Sequence, residues 1–292
     1  MVCTRDEDPI PGHARAAWMR EQFPHLDVVH VTDVVPQEPH EHPDFWGIWR
    51  RLCQRSAGEP VHAVFASEAY GARLAEELGA TWFPVDPARS MVPISGTALR
   101  EDPMRFWDYL IPPARRHFLK RVCVFGPEST GKSTLAADLA ARFDTVHVAE
   151  WARTWLDPRG GRCEAADIPI IALGQRAAEE AMARQARRVL FCDTDALTTT
   201  LWSDWLFGGC PEEVRLEARD RRYDLTLLLD IDVPWVDDSQ RFLRDQRAEF
   251  FARCERALAE HGRPTVVIRG GFDARLEAAT AAVEALLRAP GS

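Results

Sequence analysis

Lysine is nearly missing from this chain. Of 36 basic residues only two are lysines, Lys120 and Lys132; the others are arginines. Positive charge is not in surplus either, since 45 acidic residues bring the formal net charge to −9. Proteins that coat nucleic acid need clustered cations to neutralise phosphates, so no nucleic-acid partner is expected. No apolar run approaches the ~18 residues of a membrane span. The opening MVCTRDEDPIPG lacks the basic and apolar regions of a secretory leader. No membrane partner is therefore expected. The seven cysteines are odd in number, scattered and without a Cys-x-x-Cys pair. Neither a zinc site nor a disulfide framework follows, and a reducing cytoplasm is the expected compartment. Nothing in the sequence points to an oligomeric state.

What is present reads as globular. Apolar residues make up 46% and charged residues 28% of the chain, which argues against disorder. At about 150 residues per domain, 292 residues suggest two domains. From residue 119 onward, apolar runs of strand length alternate with amphipathic stretches of helix length. The runs are Val122–Phe125, Val146–Ala149, Val189–Cys192, Leu225–Leu229 and Thr265–Arg269. Helices are expected at Leu135–Phe143, Gln175–Arg188, Ala248–His261 and Asp273–Arg288. Continuous apolar strands separated by helices indicate an α/β domain with a parallel sheet covered on both faces. It is expected over residues 118–290. A thinner domain of similar kind is expected over residues 1–112. There Val28–Val31 and Val61–Ala66 read as strands, Ala14–Gln22 and Ala69–Leu78 as helices, and Thr32–Pro43 as a loop.

The segment Gly126-Pro-Glu-Ser-Thr-Gly-Lys-Ser133 fits G-x-x-x-x-G-K-[ST]. It follows an apolar strand and opens a helix, the setting of a P-loop. Glycines let the backbone wrap phosphates, so that successive N–H groups point inward at a helix N-terminus. Gly126, Glu128, Ser129, Thr130, Gly131, Lys132, Ser133 and Thr134 form the expected ATP contacts. Lys132 would bridge phosphate oxygens, and the Ser133 hydroxyl would bind Mg²⁺.

A second magnesium group should be an acid ending a buried strand. Asp193 ends the run Val189–Cys192 and is followed by Thr194 and Asp195. Asp195 also reads as the N-cap of a helix starting at Ala196. Glu150 closes the second strand, and carboxyl ends of parallel strands face the site. It reads as the base or anchor for an acceptor hydroxyl, or as a solvated acid paired with Arg153. Trp151, Trp155, Trp202 and Trp205 cluster around these acids, as faces for a planar cationic ring or as plain core. Arg241, Arg244 and Arg247 follow the fourth strand. That position fits a lid over the triphosphate, and their spacing of three fits a salt-bridged helical face.

Together these residues resemble the bifunctional NadR family of NAD salvage proteins. That family joins a nicotinamide mononucleotide adenylyltransferase domain to a ribosylnicotinamide kinase domain. The segments that carry the likeness are FGPESTGKSTLA (125–136), VAEWARTWL (148–156), DTDALTTTLWSDWLFG (193–208) and DIDVPWVDD (230–238). The resemblance implies that nicotinamide riboside is the acceptor, ATP the donor and nicotinamide mononucleotide the product. Glu150, Trp151, Trp155, Asp195 and Trp202 then become contacts for ribose and nicotinamide, and Arg241 joins Lys132, Glu150 and Asp193 as a catalytic group.

The N-terminal half resembles the later part of the adenylyltransferase domain, a partial Rossmann-like nucleotidyltransferase. VCTRDEDPIPG (2–12), VFASEAYG (64–71) and Ile94–Arg100 carry this likeness. In the last of these, Ser95, Thr97 and Arg100 match an I-S-x-T-x-x-R pattern that would hold phosphates. They also read as a simple helix cap. The family's G-x-F-x-P-x-H-x-G-H motif is absent, and no His-x-Gly-His occurs anywhere in the chain. This half is therefore expected to be vestigial or truncated, with a bifunctional protein as the alternative if the natural start lies upstream. A kinase for another nucleoside and a nucleotide-sensing regulator are the remaining alternatives.

Overall fold

The structure, a computed structural model, describes residues 2–3, 8, 10–236 and 243–288. It divides into two units, Met1–Ala114 and Arg115–Ser292. In the first, β1 (Val2–Cys3) is followed by α1 (Gly12–Gln22) and pairs in parallel with β2 (His30–Val31). Residues 32–43 carry no helix or strand. After α2 (Phe45–Ala57), β3 (Ala63–Ala66) and β4 (Thr81–Pro84) form a second parallel pair across α3 (Tyr70–Leu78). The short helix α4 (Gly96–Glu101) comes next. The helix α2 and the strand β4 are additions to the sequence reading.

The second unit is reached through α5 (Pro112–Phe118). Its elements are β5 (Lys120–Phe125), α6 (Lys132–Arg142), β6 (His147–Val148), α7 (Trp151–Leu156), α8 (Asp167–Ala183), β7 (Val189–Asp193), α9 (Ala196–Phe207), α10 (Glu212–Asp220), β8 (Leu225–Leu229), α11 (Arg247–Glu260), β9 (Thr265–Ile268) and α12 (Phe272–Arg288). All five strands run parallel in the order β6-β7-β5-β8-β9. The three central strands are buried on both faces, as an apolar run with no alternation requires. The core is built on Val122, Val124, Phe191 and Leu227, covered by Leu139 of α6 and by Ala279 and Val283 of α12.

One helix departs from its expected bounds. Gln175–Arg188 is observed as Asp167–Ala183. The buried stripe Ile168, Ile171, Ala172, Gln175 and Glu179 has helical spacing, and it starts earlier than the sequence suggested. Pro169 lies in the first turn, where its missing N–H breaks no bond. Gly174 sits inside α8 because the Trp151 ring lies on it: a Cβ there would fall 2.3 Å from that ring. Among the described residues, no helix is long and apolar enough to cross a membrane.

Leu139 is fully buried between α6 and the sheet. Leu139→Ala is expected to destabilise this unit by about 2–5 kcal/mol without changing its secondary structure. Chemical denaturation with circular dichroism checks this.

Candidate functional site

The P-loop runs from the end of β5 into α6. Two of its glycines are fixed by space as well as by conformation. Gly126 has φ +139°, and a Cβ there would lie 2.9 Å from the Leu229 carbonyl oxygen. Gly131 has φ +84°, and a Cβ there would meet Phe272 at 2.9 Å. Ser129 adopts a left-handed φ of +57° without being glycine. Such backbone concentrates at ligand-holding loops. Thr130 Oγ1 and Lys132 Nζ both donate to the Pro127 carbonyl, each at 2.8 Å. These bonds fix the turn and bring the amine to the mouth of the loop.

At the head of α6, Ser133 Oγ donates to Asp193 Oδ2 at 2.5 Å. Asp193 closes β7 and is buried. Among the described residues its other oxygen, Oδ1, has no hydrogen-bond partner. Burial, followed by the charge of Glu150, pushes the Asp193 carboxyl up to about 6, against the pull of Lys132 and the Ser133 hydroxyl. Among the described residues no group of three or more His, Cys, Asp or Glu side chains is placed to hold a metal. An unsatisfied carboxylate oxygen beside a serine hydroxyl nonetheless fits the oxygen-donor chemistry of a magnesium ion.

A cavity opens beside the loop, lined by Ser129–Thr134 on one wall and by α7, α8 and α9 on the other. Glu150, Arg153, Gln175, Thr198 and Trp202 line it, together with apolar Ile168 and Ile171. Glu150 and Arg153 form an ion pair at 3.3 Å. Glu150 thus lines the cavity while paired with Arg153, as its alternative reading expected. Gln175 accepts from the Trp151 N–H at 3.0 Å and donates to the Thr194 carbonyl at 3.4 Å, tying α7 to the end of β7.

Other sequence-selected residues stand elsewhere. Asp195 caps α9, accepting from Thr198 N at 2.9 Å, and pairs with Arg263 at 3.1 Å. It is 1% exposed and does not line the cavity. Trp151 and Trp155 stack on each other with centroids 5.6 Å apart, and neither lines the cavity. Trp155 is occupied by Asp167, which accepts from its indole at 2.9 Å, and by the Arg159 guanidinium 3.6 Å above the ring. Trp205 packs on Phe250. Of the four tryptophans only Trp202 faces the cavity. Arg241 lies outside the described residues. Arg244 is exposed in a turn, and α11 begins only at Arg247, so no single helical face carries both. Arg247 donates to the Val233 carbonyl at 3.1 Å and to the Ser129 carbonyl at 3.4 Å, beneath the P-loop. In the first unit, Ser95 caps α4 through Ala98 N at 3.1 Å, and Arg100 donates to Thr97 at 3.2 Å.

Residues 121–275, more than half of the chain, match the AAA domain family. The trifunctional NAD biosynthesis/regulator protein NadR of Salmonella typhimurium is 30% identical over 237 residues, covering 78% of this chain. The chain belongs to the NadR-like family. It spans 58% of the length of that curated relative. A NadR protein solved in complex with NAD and AMP-PNP aligns over 99% of this chain and 88% of its own, with a TM-score of 0.70 and 25% identity. A second, in complex with NR, has a TM-score of 0.71 over 98% of this chain and 86% of its own, and at 24% identity shows the shared fold.

Three residues at the cavity and the loop of this NadR-like site carry no site role in the sequence reading, although Arg153 is named there as a partner of Glu150. Arg153 and Gln175 line the cavity. Arg275 of α12, 1% exposed, donates to the carbonyls of Thr130 at 2.5 Å, Gly270 at 2.7 Å and Asp230 at 2.8 Å, and pairs with Asp232. It bolts the P-loop to the ends of β8 and β9. No motif marks it, because an arginine in an amphipathic helix reads as surface.

The Asp193 carboxyl sets a pH dependence. Its folded value of about 6 lies above its ordinary 3.8, so the folded state holds the proton more tightly. Its contribution to stability is full below about pH 4 and is lost as pH rises through 6. Asp193→Asn removes that titration. Without ligand, the variant should exceed the parent in stability above pH 6 by up to about 3 kcal/mol, the gap closing toward pH 4. Thermal melts from pH 4 to 8 test this, and a gap independent of pH contradicts it.

Proposed function

We propose that this chain is a Mg²⁺- and ATP-dependent kinase that phosphorylates the 5′-hydroxyl of nicotinamide riboside, giving nicotinamide mononucleotide in NAD salvage. The observation that carries this reading is the P-loop opening directly onto a cavity that holds Glu150, Arg153 and Trp202. Membership of the NadR-like family supports the substrate, as does the NadR structure solved with NR. A P-loop alone cannot choose the acceptor.

The loop amides and Lys132 hold the donor phosphates. Glu150 accepts or orients the proton of the acceptor hydroxyl, and Arg153 holds Glu150 in place. Trp202 offers its face to the cationic nicotinamide ring. Ser133 and Asp193 would hold Mg²⁺, which when bound offsets phosphate charge. Arg241, Arg244 and Arg247 add positive charge from the segment after β8. Phosphoryl transfer asks mainly for positioning and electrostatics, and these residues supply both. The first unit contributes little or no adenylyltransferase activity in this reading, because the chain contains no His-x-Gly-His to stabilise leaving pyrophosphate. The compartment that fits such an enzyme is the cytoplasm.

Lys132→Ala should abolish phosphorylation of nicotinamide riboside while leaving the circular dichroism spectrum and melting temperature close to those of the parent. The assay follows acceptor-dependent ADP release across a panel of nucleosides. Preference of the parent for a deoxynucleoside would reject the proposed acceptor, and full activity of the variant would reject the proposed site.

A further inference from the structure

We propose that Phe272 is the stacking platform for the nucleobase of the phosphoryl donor. This rests on the reading of the chain as an ATP-dependent kinase. The cavity assigned to the acceptor lies on one side of the P-loop, among helices that follow β6 and β7. In the sheet order β6-β7-β5-β8-β9 the P-loop leaves the central strand, and Phe272 follows β9 at the far edge. In-line transfer turns the terminal phosphate of the donor toward the acceptor. The nucleoside end of the same molecule then points away, over β8 and β9.

Phe272 waits on that side. It is a large apolar ring left 58% exposed. Its edge touches the P-loop itself, at Gly131, where the space for a Cβ is already taken by Phe272 Cε1. The backbone segment leading to the ring is also tied to the loop. Arg275 donates to the carbonyl of Gly270, two residues before Phe272, and to the carbonyl of Thr130, one residue before Gly131. A flat apolar face fixed beside a phosphate cradle and left open to water suits a purine, whose π-face stacks without regard to sequence of functional groups. Beside it Arg269, held by Asp230 at 2.7 Å, keeps its guanidinium exposed for a further contact with the base or ribose.

The test separates base from phosphate. Binding of Mg²⁺–ATP and of Mg²⁺–tripolyphosphate to the full chain is measured by calorimetry for the parent, Phe272→Ala and Phe272→Trp. Phe272→Ala should weaken ATP binding by about 5- to 100-fold and leave tripolyphosphate within twofold. Phe272→Trp should restore ATP binding, which loss of a merely structural contact with Gly131 would not predict. Unchanged ATP affinity in Phe272→Ala, or equal losses for both ligands, overturns the platform. A parent that binds neither ligand overturns the kinase reading and the platform together. A parent that binds both, with Phe272→Ala indistinguishable from it, overturns the platform alone.

Discussion

The hydrogen bond from Ser133 to Asp193 is the contact on which this molecule turns. It ties the first turn of α6 to the carboxyl end of β7, next to the strand that feeds the P-loop. A carboxylate buried there is costly unless its oxygens are satisfied. One oxygen is, and among the described residues the other is not. The apolar strands β5, β7 and β8 supply the burial that offsets this local cost, and the Arg275 clamp keeps the facing loop from relaxing around it.

A second buried carboxylate shows what saturation looks like. Near the amino ends of the strands, Glu179 accepts from Tyr223 Oη at 2.6 Å and from Arg221 at 2.7 and 3.0 Å. Burial raises its carboxyl, and the Arg221 charge pulls it back. Three hydrogen bonds converge on Glu179, while Arg221 also donates to Glu180 at 2.7 Å, so Glu179 acts as a structural brace. Asp193 sits at the other end of the same sheet, and among the described residues only Ser133 donates to it. The two buried acids thus differ in how many donors reach them.

Much of the second unit was legible in its sequence, for physical reasons. Apolar runs such as Leu225–Leu229 have one stable home, the middle of a covered parallel sheet, so their bounds hold to within a residue or two. The P-loop was legible because its glycines answer to steric needs, at Gly126 against Leu229 and at Gly131 against Phe272. Side-chain direction was much less legible. Trp151 and Trp155 sit in the right stretch of chain, yet they spend their faces on each other, on Gly174 and on Arg159. Asp195 is two residues from Asp193, and the left-handed backbone of Thr194, φ +67°, turns it to the α9 cap that its place before Ala196 predicts and not to the cavity. The onset of α8 was hidden by Pro169 and Gly174, each harmless once its neighbours are known. Gln175 and Arg275 are placed through partners distant in sequence, which no local pattern carries, whereas the Glu150–Arg153 pair follows from helical spacing.

The scarcity of lysine has a practical side. The chain offers two side-chain amines, and they differ in surroundings. Lys120 opens β5 and is paired with Asp224 at 3.1 Å, while Lys132 stands at the cavity with a backbone carbonyl as its acceptor. A lysine-specific protease would meet two candidate bonds, twelve residues apart, one at the threshold of the second unit and one inside the phosphate cradle. Side-chain amine labelling would likewise have two possible positions, Lys120 and Lys132, a simplicity that arises from composition alone.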